Sequence, residues 1–173
     1  MAKMIFILGG ARSGKSMYAA GLAKKINKKT VFVATASALD EEMEERIRLH
    51  KISRPKDWGL IEEPVNLGKA LIKLKPVYEV ALIDCLGLWV SNLLMEGMKD
   101  KAIENKIREF INAIGKARAE VVIVVSNEVG CGIVPGDPLS RRFRDLLGLA
   151  NQAAADKASE VFFMQAGIPF KLK

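Results

Sequence analysis

A glycine-rich segment near the start of the chain has the residue spacing of a phosphate-binding loop. Eight consecutive residues match the pattern G-x-x-x-x-G-K-[ST], follow an apolar run and precede a helical pattern, which is the context that this motif requires. Backbone N–H groups of such a loop point inward at phosphate oxygens, and the helix that follows adds its positive end. We therefore expect a nucleotide to be bound by Gly9, Gly10, Ala11, Arg12, Ser13, Gly14, Lys15 and Ser16.

Two side chains of this loop and one distant carboxylate are suited to catalysis and metal binding. Lys15 is expected to reach the outer phosphates as a point charge, and the Ser16 hydroxyl to ligate a Mg²⁺ ion that bridges them. Asp84 follows the apolar run 80–83, and parallel sheets bind ligands at the carboxyl ends of such strands. Asp84 is therefore either a second metal ligand or an ordinary aspartate in a turn.

Polar residues also follow another apolar run, 121–125. Asn127 and Glu128 come after this run as Asp84 comes after the earlier one, so we expect their side chains to line the same crevice, with no single role assigned. Cys85 and Cys131 lie far apart without Cys-x-x-Cys spacing. Neither a disulfide framework nor a zinc site is expected from them.

An alternation of short apolar runs and helical patterns must position these residues. Strands are predicted at 4–8, 30–34, 80–83, 121–125 and 161–164, and helices at 16–25, 40–51, 88–98, 103–117 and 138–157. Residues 167–173 are expected to form a turn and a short last strand, which could be an antiparallel edge. The alternation is typical of a mostly parallel sheet with helices on both faces. With the phosphate loop, it predicts the α/β fold of RecA-like P-loop NTPases.

Length and composition indicate one domain over residues 1–173, because 173 residues that are 50% hydrophobic can bury one substantial core.

The net charge of +7 suggests a polyanionic partner, which could be a nucleic acid or a phosphorylated small molecule. A surface that is simply rich in lysine explains the positive charge equally well. The apolar run at the N-terminus is too short to span a bilayer and ends in the glycine loop. We therefore expect a cytoplasmic protein without a membrane span.

Two further segments carry a resemblance to a known family. Residues 46–55 read R-I-x-x-H-x-x-x-R-P, and residues 127–135 read N-E-V-G-x-G-I-V-P. Taken with the phosphate loop, they resemble the bifunctional adenosylcobinamide kinase / adenosylcobinamide-phosphate guanylyltransferase of cobalamin biosynthesis. The resemblance covers nearly the whole chain, and the combination of these motifs is specific.

The resemblance implies two reactions and a set of partners. In the first, the terminal phosphate of ATP or GTP passes to the aminopropanol hydroxyl of adenosylcobinamide. In the second, GTP guanylylates a histidine, and the cobinamide phosphate takes up the GMP to give adenosylcobinamide-GDP. A homo-oligomer, and specifically a trimer, is also implied. Beyond the phosphate loop, the implied nucleotide contacts are Ala34, Thr35, Ala36, Lys51, Ile52, Ser53, Arg54, Glu62 and Asp84.

The guanylylated residue implied by the resemblance is His50, which is also the single histidine of the chain. Imidazole is a competent nucleophile near neutral pH and leaves readily from a phosphoramidate. The neighbouring Arg46, Arg48, Lys51 and Arg54 would favour a neutral imidazole and stabilise charge on the α-phosphate. Without the motif, a histidine on the surface of a basic helix would be the preferred interpretation.

Two positions vary within the family pattern. The metal carboxylate is Asp84 where glutamate would also be accepted, so direct and water-mediated metal contact both stay open. Cys131 occupies the variable position of N-E-V-G-x-G and is interpreted as a small packing residue.

Two alternative functions are compatible with a phosphate loop. The first is a simple P-loop kinase of a nucleoside or small metabolite, in which His50 only binds substrate. The second is a RecA-like nucleic-acid ATPase module, suggested by the positive charge and by Arg141, Arg142 and Arg144. Only 6% of residues are aromatic and no stretch interleaves aromatic with basic residues, so we expect no nucleic-acid partner.

Overall fold

One mixed sheet forms the centre of the computed structural model, which describes residues 2–37 and 55–173. Within these residues, the order of strands across the sheet is β3-β2-β4-β5-β1-β6-β7. Every neighbouring pair is parallel except β6 and β7, which are antiparallel. The strands are β1 (Lys3–Gly9), β2 (Thr30–Ala34), β3 (Gly59–Glu62), β4 (Val80–Asp84), β5 (Val121–Asn127), β6 (Glu160–Gln165) and β7 (Ile168–Lys171).

Helices cover both faces of this sheet. They are α1 (Lys15–Ile26), α2 (Leu67–Ile72), α3 (Leu86–Met95), α4 (Asp100–Ile114) and α5 (Pro138–Lys157). Ala19 and Ala23 of α1 pack in one apolar cluster with Ile5 and Ile7 of β1. The second cluster, on the opposite face, contains Phe6 of β1 and apolar side chains of α2, α3, α4 and α5. The predicted α/β fold, with its antiparallel edge at the C-terminal end, is confirmed.

The central strands have the composition of strands buried on both faces. The side chains of Phe6, Ile7 and residues 122–125 are fully buried. Consecutive apolar residues of this kind, rich in valine and isoleucine, are typical of parallel strands covered by helices on each side. The strand predictions at 4–8 and 121–125 depended on this pattern.

Two elements and several boundaries differ from the sequence prediction. β3 and α2 were not predicted, because β3 is a four-residue edge strand and α2 a six-residue helix. Such short segments carry little periodicity. The helices α3 and α4 each lie two or three residues nearer the N-terminus than predicted, and Gly97, with φ 73°, separates them. The helix predicted at 40–51 lies outside the described residues.

Among residues 2–37 and 55–173, no helix combines the length and the hydropathy needed to cross a membrane.

The parallel register brings the ends of several strands to one edge of the sheet. Ala34, at the end of β2, pairs with Glu62 of β3 on one side and with Asp84 of β4 on the other. Gly9, at the end of β1, pairs with Asn127 of β5. Because parallel strands point the same way, these residues form one carboxyl edge, which is where ligands bind in such folds.

Candidate active site

The phosphate loop connects β1 to α1, as its sequence context predicts, and the backbone requires glycine at two of its positions, 9 and 14. Gly14 is the N-cap of α1 with φ 92°, a left-handed conformation that glycine adopts without strain. A Cβ atom at this position would also lie 3.2 Å from the Cα of Gly167. At Gly9, a Cβ atom would collide with the carbonyl oxygen of Met164. The loop is therefore packed directly against the hairpin of β6 and β7.

That hairpin also fixes the loop by a hydrogen bond. The N–H of Gly167, in the turn between β6 and β7, donates to the carbonyl of Ser13 at 3.0 Å. The Ser13 side chain is buried, whereas Ala11 and Arg12 are exposed at the tip of the loop. The exposed backbone of the tip is thus available to a ligand while the base of the loop is held in place.

Lys15 begins α1 and is buried, with 8% of its surface exposed. Its Nζ donates to the carbonyl of Gly10 at 2.5 Å and lies 3.5 Å from the Ser13 hydroxyl. Burial lowers the pKa of Lys15, and the negative charges that Cys85 and Asp84 can carry act in the opposite direction. A buried ammonium group is stabilised strongly by an anionic ligand, because little water is present to screen the attraction between the two charges.

Asp84 ends β4 close enough to Lys15 to act on its pKa, so the carboxylate and the phosphate loop share one site. Ser16 is the next residue of α1 after Lys15. The candidate metal ligands are therefore a hydroxyl oxygen and a carboxylate oxygen. Hard oxygen donors in small number suit Mg²⁺, which usually keeps several waters and takes substrate phosphates as further ligands. Ser16 and Asp84 fit this ion.

The segment that follows β2 is held by a buried threonine. Thr35 is fully buried. Its hydroxyl donates to the carbonyl of Cys85 at 2.8 Å and accepts from the N–H of Cys85 at 2.7 Å. The side chain predicted to contact nucleotide thus has a structural role in joining β2 to β4, and contact with a nucleotide stays a prediction for Ala34, Thr35 and Ala36.

Asn92 of α3 completes this junction and was not identified from the sequence. Its Nδ2 donates to the carbonyl of Thr35 at 2.7 Å and to the carbonyl of Pro64 at 3.1 Å. It therefore ties the segments that follow β2 and β3 to the helix that follows β4. The available signal was an asparagine within the otherwise apolar sequence LGLWVSNLLM, since a buried polar side chain requires partners.

Asn127 and Glu128 reach the same carboxyl edge as Asp84. The Sγ of Cys85 lies 3.5 Å from Oδ1 of Asn127, as a hydrogen-bond donor. The N–H of Glu128 donates to the carbonyl of Gly9 at 3.0 Å, at the start of the phosphate loop. The structure therefore places both residues beside the loop, and a crevice lined by the Glu128 side chain stays a prediction.

Cys85 itself is unsuited to nucleophilic chemistry. Burial, and then the negative charge of Asp84, raise the pKa of its thiol to about 12. The side chain therefore stays protonated near neutral pH, and the thiolate that would be the nucleophile is scarce.

The remaining predicted site residues divide between the edge of the sheet and a part of the chain outside the described residues. Glu62 ends β3 at the carboxyl edge, paired in register with Ala34. The residues that lie outside the described range are His50, Lys51, Ile52, Ser53 and Arg54.

These features together define a P-loop nucleotide-binding protein of the RecA-like α/β class. The crystal structure of a RadB recombinase shares this fold, with a TM-score of 0.50 and 13% sequence identity over 93% of this chain and 73% of that one. At this identity, the likeness extends to the fold alone.

A family model described as cobinamide kinase / cobinamide phosphate guanyltransferase matches residues 5–172. The chain belongs to this family and is an enzyme of the kind that the family name describes. The resemblance found in the sequence is therefore confirmed.

Two relatives illustrate how much of the chain this similarity covers. The bifunctional adenosylcobalamin biosynthesis protein CobP of Pseudomonas aeruginosa is 39% identical over 96% of this chain and 95% of its own. The bifunctional adenosylcobalamin biosynthesis protein CobU of Escherichia coli is 38% identical over 98% of this chain and 99% of its own. The similarity thus spans both the phosphate loop and the residues outside the described range.

Proposed function

We propose that this enzyme phosphorylates the aminopropanol hydroxyl of adenosylcobinamide with ATP or GTP and then transfers GMP from GTP to the product. The final product is adenosylcobinamide-GDP. The observation that carries the proposal is the buried ammonium group of Lys15, held inside the phosphate loop and next to Asp84. Family membership supplies the acceptor, cobinamide and its phosphate.

In the phosphoryl-transfer step, the loop acts by positioning and by charge. Backbone N–H groups from Gly10 to Ser16 surround the phosphates, and the Lys15 ammonium group stabilises negative charge on the group in transfer. The oxygen of the acceptor hydroxyl bonds to the γ-phosphorus and its proton is released. The bond between the γ-phosphorus and the oxygen bridging the β- and γ-phosphates breaks, and the nucleoside diphosphate leaves. Mg²⁺, held by Ser16 and Asp84, would neutralise charge on the phosphate oxygens.

In the guanylyl-transfer step, His50 is the proposed catalytic nucleophile. An imidazole nitrogen bonds to the α-phosphorus of GTP while the bond to the β-phosphate oxygen breaks and pyrophosphate leaves. A phosphate oxygen of adenosylcobinamide phosphate then bonds to the same phosphorus, and the N–P bond breaks to return the imidazole. The motif around His50 within the family, and the absence of any other histidine in the sequence, support this assignment.

The other proposed nucleotide contacts surround this chemistry. Glu62 and Asp84 lie on either side of Ala34 in one row across the carboxyl edge. This arrangement supports a nucleotide that extends from the phosphate loop across the ends of β2, β3 and β4. Lys51 and Arg54, which follow His50 in sequence, would bring further positive charge to the α-phosphate.

Incubation with α-labelled GTP tests the covalent step. We expect label on the protein in an adduct that is labile in acid and stable in alkali, as a phosphoramidate is. His50→Ala should lose the label and still form cobinamide phosphate, because phosphoryl transfer requires positioning and charge but no covalent intermediate. Persistent labelling of His50→Ala would exclude His50, and loss of both activities in a folded variant would favour a simple role in substrate binding.

A further inference from the structure

The loop that connects β5 to α5 exposes three apolar side chains and begins beside the phosphate loop. This β5–α5 loop comprises residues 128–137. The fraction of surface exposed is 39% for Val129, 98% for Ile133 and 60% for Val134. Single exposed apolar residues are ordinary, but a group of them on one short loop marks a surface that binds something.

The β5–α5 loop starts at the carboxyl edge of the sheet, where the phosphate loop also starts. β5 pairs with β1, and Asn127 lies opposite Gly9 in the register. The N–H of Glu128 then donates to the carbonyl of Gly9 at 3.0 Å. The β5–α5 loop therefore leaves the sheet beside the first residue of the phosphate loop.

Hydrogen bonds fix both ends of the loop. At the start, the N–H of Gly130 donates to the carboxylate of Glu128 at 2.5 Å. At the end, Asp137 caps α5 by accepting from the N–H of Ser140 at 2.8 Å. Arg141 donates to the carbonyl of Pro135 at 3.0 Å and to that of Gly136 at 2.6 Å. Because both ends of the loop are held, a ligand that binds between them orders only the few residues in the middle of the loop.

We propose that Val129, Ile133 and Val134 form the surface on which the corrin ring of cobinamide lies during both reactions. This inference rests on the proposed function. The acceptor hydroxyl is at the end of an arm, so when the hydroxyl reaches a phosphate, the much larger ring must lie close to the phosphate loop. The ring carries methyl groups and amide side chains at its edge, and aliphatic side chains are suitable partners for the methyl groups.

A paired substitution and a matched control test this surface. Ile133→Ser with Val134→Ser removes the apolar contact beside the phosphate loop. Ile72→Ser with Val77→Ser removes the same two residue types where they are 49% and 56% exposed, outside the proposed site. Both double variants and the wild type are compared by equilibrium dialysis against cobinamide, followed by the visible absorption of the corrin ring, and by KM for cobinamide in the kinase reaction.

The loop variant should bind cobinamide about tenfold more weakly and show a similar rise in KM, because two aliphatic side chains lose their apolar partner. Its affinity for GTP should stay within about twofold of wild type, which also shows that it is folded. The control variant should match the wild type in every measurement. Ile133→Val with Val134 unchanged should keep most of the affinity.

Unchanged affinity for cobinamide in the loop variant would overturn the inference. If the same variant also forms a smaller particle by light scattering, the surface is assigned to contacts between copies of this chain. Failure of the proposed function has a different signature, because wild type would then bind cobinamide at this loop without forming cobinamide phosphate or a guanylylated protein.

Discussion

The Lys15 side chain is buried although it carries a positive charge, and burial disfavours the charged form of an amine. Its ammonium group donates to Gly10 within its own loop, and burial lowers its pKa. Energy that burial costs in the free enzyme is regained when phosphate oxygens surround the amine. The same residue is expected to serve both reactions, since each begins with a bound triphosphate.

Replacing Lys15 with alanine should therefore depress phosphoryl transfer and guanylyl transfer together. The expected loss is roughly a hundredfold or more in each rate, as for removal of other preorganised electrostatic groups. Initial rates of cobinamide phosphate formation and of protein labelling by GTP measure the two effects. Normal turnover in either assay would show that the phosphate loop has been placed wrongly in that reaction.

Asp84 is the residue at which the proposed metal site can be tested separately. Asp84→Asn preserves the shape of the side chain and removes its charge, so the concentration of Mg²⁺ at half-maximal rate should rise by about tenfold. The titration is run with wild type and with Glu63→Gln, a neighbouring carboxylate that accepts from the N–H groups of Val65 and Asn66. If the metal requirement of Asp84→Asn is unchanged, Glu128 becomes the next candidate.

At the scale of elements, the junction of Thr35 and Asn92 holds three segments at the carboxyl edge. The Thr35 hydroxyl bonds to the backbone of Cys85, and Asn92 bonds to the carbonyls of Thr35 and Pro64. Thr35 also stands just before the part of the chain that contains His50. The junction therefore fixes Thr35 itself against the backbone that follows β4.

Asn92→Ala should lower the free energy of unfolding by about 1–3 kcal/mol, because one buried and one partly buried carbonyl group lose their donor. Urea unfolding of the variant measures this loss, with Ser91→Ala on the same helix as the control. We further expect guanylyl transfer to fall more than phosphoryl transfer, because Thr35, which precedes His50 in the sequence, loses a hydrogen-bond partner. A variant as stable as Ser91→Ala would show that water replaces the amide.

The phosphate loop and the Thr35 junction differ in how far the sequence could predict them. The loop was predictable because its glycines, Lys15 and Ser16 are consecutive, and the apolar run before them marks a buried strand. The junction joins residues 57 positions apart, Thr35 and Asn92. It depends on β2 and β4 being neighbours in the sheet, and the sequence pattern alone does not specify that order. The strand β3 was not predicted because its four residues show little periodicity. Only its pairing with β2 in the folded sheet defines it as a strand.

For the whole molecule, nucleotide binding and stability should be coupled. A ligand that binds only the folded state stabilises it by an amount set by its free concentration relative to Kd. At about one hundred times Kd, GTP with Mg²⁺ should add roughly 2.7 kcal/mol and raise the midpoint of thermal unfolding. The same GTP concentration should have much less effect on Lys15→Ala. An identical rise in both proteins would mean that GTP binds without the phosphate loop.

Two expectations about the whole molecule stay predictions. The first is that the chain forms one domain, and the second is that it assembles into a trimer.

The support of the phosphate loop has a consequence for the synthesis of the protein. Residues 9–16 leave the ribosome before their support exists, because Gly167, whose N–H donates to the carbonyl of Ser13, is made about 150 residues later. β1 likewise pairs with β5 and β6, both from the later part of the chain. Because contacts so distant in sequence form slowly and only after both partners exist, a nascent chain should acquire affinity for nucleotide only when β6 and β7 have emerged. Stalled chains that end before residue 160 should therefore fail to bind GTP, although they contain the complete glycine-rich motif.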